Sequence, residues 1–120
     1  MEFIGLLIMA ALILLYVMQM KSGKNTRQLT TSELKKQLGD PSKQFIDVRT
    51  PAEFKGRHIK GFKNIPLNTL QRNLNKLPKD KEIIVICQSG MRSTKACKIL
   101  SSAGFHSVTN VRGGMSAWSE

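Results

Sequence analysis

The sequence predicts an α/β domain built on a parallel sheet, and three observations carry that reading. Ile83 to Ile86 is a run of four β-branched apolar residues, the pattern of a central strand covered on both faces. Polar Gln88, Ser89 and Gly90 turn the chain directly after it, and Met91 to Ala103 continues as a helix with Gly104 at its stop. Shorter strand and helix patterns alternate on either side of this unit, as parallel strands with crossover helices require.

In chain order, Phe3 to Met20 contains no charged residue. As a helix it would span about 27 Å, near the hydrocarbon thickness of a bilayer, so residues 1–20 are expected to form a transmembrane helix. A signal peptide is the rival, but Glu2 replaces a basic n-region and no small-x-small cleavage site precedes Lys21. Lys21, Lys24 and Arg27 lie after the run, which predicts a single-pass membrane protein with its C-terminal domain in the cytoplasm and its basic flank on anionic lipid. Residues 21–26 read as a polar linker, and residues 27–120 as the folded domain.

Thr30 and Glu33 form a capping-box pattern that opens a helix through Leu38, stopped by Gly39. Gln44 to Val48 is the next strand, and Pro51 begins a helix holding Glu53 and Phe54. Asp47, Arg49 and Glu53 are expected to pair as a network at this strand end, as scaffold or at the rim of a substrate crevice. Phe62 to Ile65 is a short strand. Leu67, Leu70 and Leu74 share one face of the helix that Pro66 starts, and Pro78 to Lys81 turns the chain into the central strand. Beyond the central unit, Ser107 to Val111 is the last strand. Gly113-Gly114 makes a tight turn, and Trp118 anchors a terminal helix.

Composition narrows the function. Of 120 residues, 19 are Lys or Arg and 8 are Asp or Glu, a formal charge of +11. These basic residues are scattered and not interleaved with aromatic stacking platforms, so no nucleic-acid partner is expected. Two cysteines ten positions apart do not make a disulfide framework, and no short ligand pair suggests a metal. Cofactors and metals are therefore expected to be absent.

The chemistry concentrates at Cys87, where the central strand ends. In an open parallel sheet the crevice beyond the carboxyl ends of the strands is the usual ligand site. A thiol there meets free loop N–H groups and the positive end of a helix, which favour its anion, and Arg92 adds a full charge. The expected site is a nucleophilic cysteine in an anion cradle made by Gln88, Ser89, Gly90, Met91, Arg92 and Ser93, supported by Asp47 and Arg49.

Cys-Gln-Ser-Gly-Met-Arg-Ser at 87–93 resembles the active-site loop of the rhodaneses, single-domain sulfurtransferases. Three further motifs fall in the same order: Asp47-Val-Arg49-Thr-Pro-Ala-Glu53-Phe; Gly56-Arg-His58-Ile-Lys-Gly61 with Asn64-Ile-Pro66-Leu; and Gly113-Gly114-Met-Ser-Ala-Trp118. Phe62 departs from the pattern, which has a smaller residue there. The resemblance implies a three-layer sandwich around a mostly parallel sheet of about five strands. It also implies transfer of a sulfane sulfur, from a small anionic donor such as thiosulfate to a thiol or cyanide, through a Cys87 persulfide. Within it, His58 belongs to a packed turn rather than acting as a general base, and Cys97 fills core rather than resolving Cys87.

Two rivals stay open at this stage. The cell-cycle phosphatases share the fold and also use Cys and Arg, but their loop is Cys-x5-Arg. Here Cys87 and Arg92 are spaced Cys-x4-Arg, a narrower ring suited to sulfur. A non-catalytic binding module is the other rival, opposed by the retained Cys87 and Arg92. The physiological donor, the acceptor and the oligomeric state are not encoded legibly.

Overall fold

The structure is a computed structural model that describes residues 2–22 and 26–119, with side chains at 3–17 and 26–119. After helix α1 (Glu2–Ser22) come β1 (Arg27–Leu29), α2 (Thr31–Gln37), β2 (Lys43–Asp47), α3 (Pro51–Gly56), β3 (Lys63–Asn64), α4 (Leu67–Asn73), β4 (Glu82–Ile86), α5 (Met91–Ser102), β5 (Val108–Val111) and α6 (Gly114–Ala117). The five strands form one sheet in the order β1-β5-β4-β2-β3, and every neighbouring pair is parallel.

The β-branched run is the central strand, as expected. Along β4 the side chains alternate between two cores. Ile83 and Val85 pack with Leu70, Ala96, Cys97 and Leu100 on the α4 and α5 side. Ile84 and Ile86 pack with Leu34, Ile59, Phe62 and Met115 on the face that carries α2 and α6. This is the three-layer sandwich, with both sheet faces dry, which is why the strand reads as apolar throughout.

Local signals hold where they are dense. Thr30 and Thr50 each accept from the backbone N–H three residues on, and Glu33 and Glu53 complete two capping boxes. Phe62 is buried against Phe45, with ring centroids 5.3 Å apart, so the unexpected bulk is absorbed by an aromatic pair. Leu70 is fully buried, with Leu67 and Leu74 half-buried beside it.

The expected membrane anchor is corrected. Among the described residues, no helix is long and apolar enough to cross a membrane. The described side chains of α1, Phe3 to Val17, are exposed and belong to neither apolar core of the sheet. The large apolar residues on this stretch, such as Phe3, Leu7 and Leu14, are exposed. The single-pass topology, the membrane as a partner and the cytoplasmic placement derived from flanking charges all depended on the anchor, and they are withdrawn with it. Of the linker expected at 21–26, residues 23–25 lie outside the described residues, and Lys21 and Ser22 close α1.

Candidate active site

Cys87 follows β4 directly, and the loop that leaves it closes on α5. The sulfur is buried, 1 % exposed, and its lower side belongs to the apolar core. Its upper side is polar. The Gly90 N–H donates to Sγ at 2.8 Å, and the thiol donates to Ser93 Oγ at 3.2 Å. Gly90 reaches this position with φ +110°, a left-handed conformation that a side chain would resist. Of the ring of donors expected from the sequence, the described contact on sulfur is this one N–H, backed by the Ser93 hydroxyl.

Two carbonyls of the loop are tied from behind by α6. The N–H of Met115 donates to the Cys87 carbonyl at 2.8 Å, and that of Ser116 to the Gln88 carbonyl at 2.9 Å. Gly114 permits this close approach, because a Cβ built there would collide with the Cys87 carbonyl oxygen. With these two carbonyls drawn toward α6, the trans peptides turn the N–H groups of Gln88 and Ser89 the opposite way.

The supporting residues lie where the strand end predicts, with one exchange of partners. Asp47 and Arg49 form a buried ion pair, Nη2 to Oδ2 at 2.9 Å, with Nε near both carboxylate oxygens at 3.1 Å. Arg49 also donates to the carbonyl oxygens of Glu53 and Arg57 and to Gln88 Oε1. It therefore staples β2, α3 and the cysteine loop together. Asn64 adds two donations from Nδ2, to the carbonyls of Asp47 and Arg49, a bridge the sequence reading missed.

Glu53 does not join that pair through its side chain. It faces Arg92, with Nη1 to Oε1 at 2.6 Å and Nη2 to Oε2 at 2.9 Å. The hydrogen bond from Arg92 holds the Glu53 carboxyl down at about 2, and the same bond raises the guanidinium of Arg92. Arg92 is thus not the unpaired charge expected at the cradle. It arrives already half-neutralised, because the first turns of α3 and α5 point toward each other.

The remaining candidates divide. The Gln88 side chain is engaged by Arg49 and by Ser116, so it braces the loop. Ser89 is exposed and Met91 stands 77 % exposed at the rim. His58 Nδ1–H donates to the Phe54 carbonyl at 2.8 Å, and its ring stacks on Phe54 at 4.0 Å, the packed turn that the motif implied. Cys97 lies in the core, and burial, helped by the Cys87 charge, pushes its thiol up to about 12.

A parallel sandwich with one cysteine at the carboxyl edge of its central strand, held by a six-residue Cys-x4-Arg loop, marks a persulfide-forming sulfurtransferase. The chain belongs to the rhodanese-like domain family, whose profile matches residues 30–120. It is 38 % identical over 119 residues to the uncharacterized protein YqhL of Bacillus subtilis, covering 96 % of this chain and 90 % of that one. It is 33 % identical to a sulfurtransferase of Allochromatium vinosum over 92 residues, 76 % of this chain and 86 % of that protein. The crystal structure of a rhodanese-like domain protein from Staphylococcus aureus superposes with a TM-score of 0.73 at 36 % identity, covering 79 % of this chain and 93 % of the other. A small sulfur donor and a thiol acceptor are its substrates.

Proposed function

We propose that residues 27–120 form a sulfur-transfer unit in which Cys87 is the carrier and the loop from Gln88 to Ser93 is the seat of the migrating sulfur. The observation that supports this most directly is the Gly90 N–H on Sγ at 2.8 Å, in a loop whose carbonyls α6 draws the other way. In the first half-reaction the Cys87 thiolate attacks the outer sulfur of a donor such as thiosulfate. A new S–S bond forms at Sγ, the donor's S–S bond breaks, and sulfite leaves with the electron pair. In the second, an acceptor thiolate or cyanide attacks the outer sulfur, and Cys87 departs as thiolate.

The loop serves both halves because negative charge sits on sulfur throughout. Gly90 N–H supplies a fixed donor, and Ser93 supplies an adjustable one. Its hydroxyl accepts from the neutral thiol while donating to the Gly90 carbonyl at 3.0 Å. On ionisation it turns to donate to sulfur, and Gly90's carbonyl keeps its bonds from the Thr94 N–H and hydroxyl. Asp47 and Arg49 act beneath the loop as positioning residues.

The test uses the full chain and its Cys87→Ser variant. Thiocyanate formation from thiosulfate and cyanide is expected with the parent and absent from the variant, and neither is expected to hydrolyse p-nitrophenyl phosphate. Sulfur transfer that survives the substitution would refute the assignment, and phosphate-ester turnover dependent on Cys87 would move the chain to the phosphatase reading.

A further inference from the structure

Beside the cysteine loop lies a cavity of about 240 Å³, lined by Val48, Thr50, Pro66, Leu67, Asn68 and Arg92. It sits over the carboxyl ends of β2 and β3. The Val48 N–H donates to the carbonyl of Ile86, the residue before Cys87, and the Leu67 N–H donates to the Val48 carbonyl. Val48 also packs in the same apolar group as Cys87, so the cavity opens on the cysteine's side of the sheet. Its walls are largely carbon, from Val48, Pro66 and Leu67, and Arg92 is the residue it shares with the loop.

An inorganic dianion is a poor match for such a place. The charge of Arg92 is already engaged in two hydrogen bonds to Glu53, so the mouth of the cavity carries a neutral pair where a dianion needs an excess of positive charge. Desolvation cost grows with the square of the charge, so a monoanion entering the same mouth escapes most of the penalty. An organic arm on that monoanion would gain from covering the apolar wall.

We propose that this site prefers singly charged organic sulfane-sulfur donors to thiosulfate, their carbon arm occupying the Val48–Pro66–Leu67 cavity, and that Glu53 sets this preference by neutralising Arg92. The inference rests on Cys87 being the carrier. With an organic thiosulfonate the balance is simple. The Cys87 thiolate takes the terminal sulfur, the S–S bond of the donor breaks, and the sulfinate leaves with the electron pair. An organic persulfide reacts in the same sense, releasing a thiolate.

The experiment compares benzenethiosulfonate with thiosulfate, following the gain of one sulfur on the full-length protein by intact mass, which makes the acceptor irrelevant. The parent is expected to react about ten-fold or more faster per molar with benzenethiosulfonate. Glu53→Gln keeps the capping function, since glutamine serves there too, but frees the charge of Arg92. It is expected to raise the thiosulfate rate about five-fold and to leave the other within about two-fold. Asn68→Trp, at an exposed position on the rim, is expected to fill the cavity and slow benzenethiosulfonate about ten-fold with little effect on thiosulfate.

A parent that prefers thiosulfate, or a rate ratio unmoved by either substitution, overturns the inference while leaving Cys87 as carrier. Sulfur uptake retained by Cys87→Ser, or uptake from neither donor by the parent, overturns the carrier assignment and this inference with it. A general loss of folding would move both rates together, whereas the ratio reports selectivity alone.

Discussion

Replacing Gly114 with alanine puts the clamp behind the cysteine loop to the test. Gly114 has φ +58°, and its added Cβ would collide with the Cys87 carbonyl oxygen and lie 2.9 Å from the carbonyl carbon and oxygen of Gln88. The left-handed conformation alone costs an L-residue about 1–2 kcal/mol. Relief of the collision requires α6 to retreat, which strains or breaks the hydrogen bonds from Met115 and Ser116. Each of those is worth about 1 kcal/mol, so the total comes to about 3–4 kcal/mol, a large share of the roughly 5–15 kcal/mol that holds a domain together. The loop would lose its anchor as well, so sulfur uptake per folded molecule is expected to fall about 100-fold, the order seen when one oxyanion donor is lost. Urea unfolding followed by tryptophan fluorescence reads the first effect, and single-turnover uptake by mass reads the second. Gly113→Ala is the control. Its φ is +78° and its Cβ meets the Ala117 Cβ at 2.9 Å, away from the loop, so stability should fall while uptake per folded molecule survives. A Gly114→Ala protein within 0.5 kcal/mol and two-fold of the parent would refute the clamp.

Other perturbations follow from the same geometry. Arg92 holds the Glu53 carboxyl at about 2 against an ordinary 4.5, so the folded state binds that proton less readily than the unfolded chain does. The pair's stabilisation is therefore complete above pH 4.5 and drains away as pH falls toward 2. Acid unfolding of Glu53→Gln should lack that part of the pH dependence. Burial pushes the Cys97 thiol up to about 12, so iodoacetamide on the native protein at pH 9 should leave Cys97 unmodified in peptide maps, and Cys97→Ala should retain sulfur transfer. Arg49→Met strands the fully buried carboxylate of Asp47 and is expected to cost about 3–5 kcal/mol in urea unfolding, more than the paired change to two neutral residues.

The sheet was legible in the sequence where burial is two-sided. Ile83 to Ile86 read as covered strand, and the capping box at Thr30 marks a short, polar helix that otherwise carries little helical signal, whereas the matching box at Thr50 went unread. β1 was missed for the opposite reason. It is three residues at the sheet edge, Arg27 and Gln28 are exposed, and Leu29 alone is buried, so no period-two pattern has room to show. The cysteine, its loop and the Asp47–Arg49 pair were readable because each is local, within a few residues along the chain. The exchange that gives Glu53 to Arg92 was not, since it joins first turns of two helices separated by 39 positions and depends on where the sheet places them. Likewise the Gly113-Gly114 pair announced a tight turn, but not that its second glycine lies against the carbonyl of Cys87. The apolar N-terminal run misled because hydropathy reports what a segment avoids and does not by itself make that segment a membrane span.

The position of β5 has a consequence for biosynthesis. This strand is made last yet lies between β1, made first, and β4, and the turn after it supplies the donors for the Cys87 and Gln88 carbonyls. A ribosome that has delivered β4 and α5 has therefore delivered the nucleophile without its seat. A chain that stops before β5 holds its thiol in an incomplete sheet, and the loop gains its backing only once Met115 and Ser116 have emerged. Sulfur transfer is therefore expected to need β5 and the turn after it, and a chain cut before Val108 is expected to take up no sulfur.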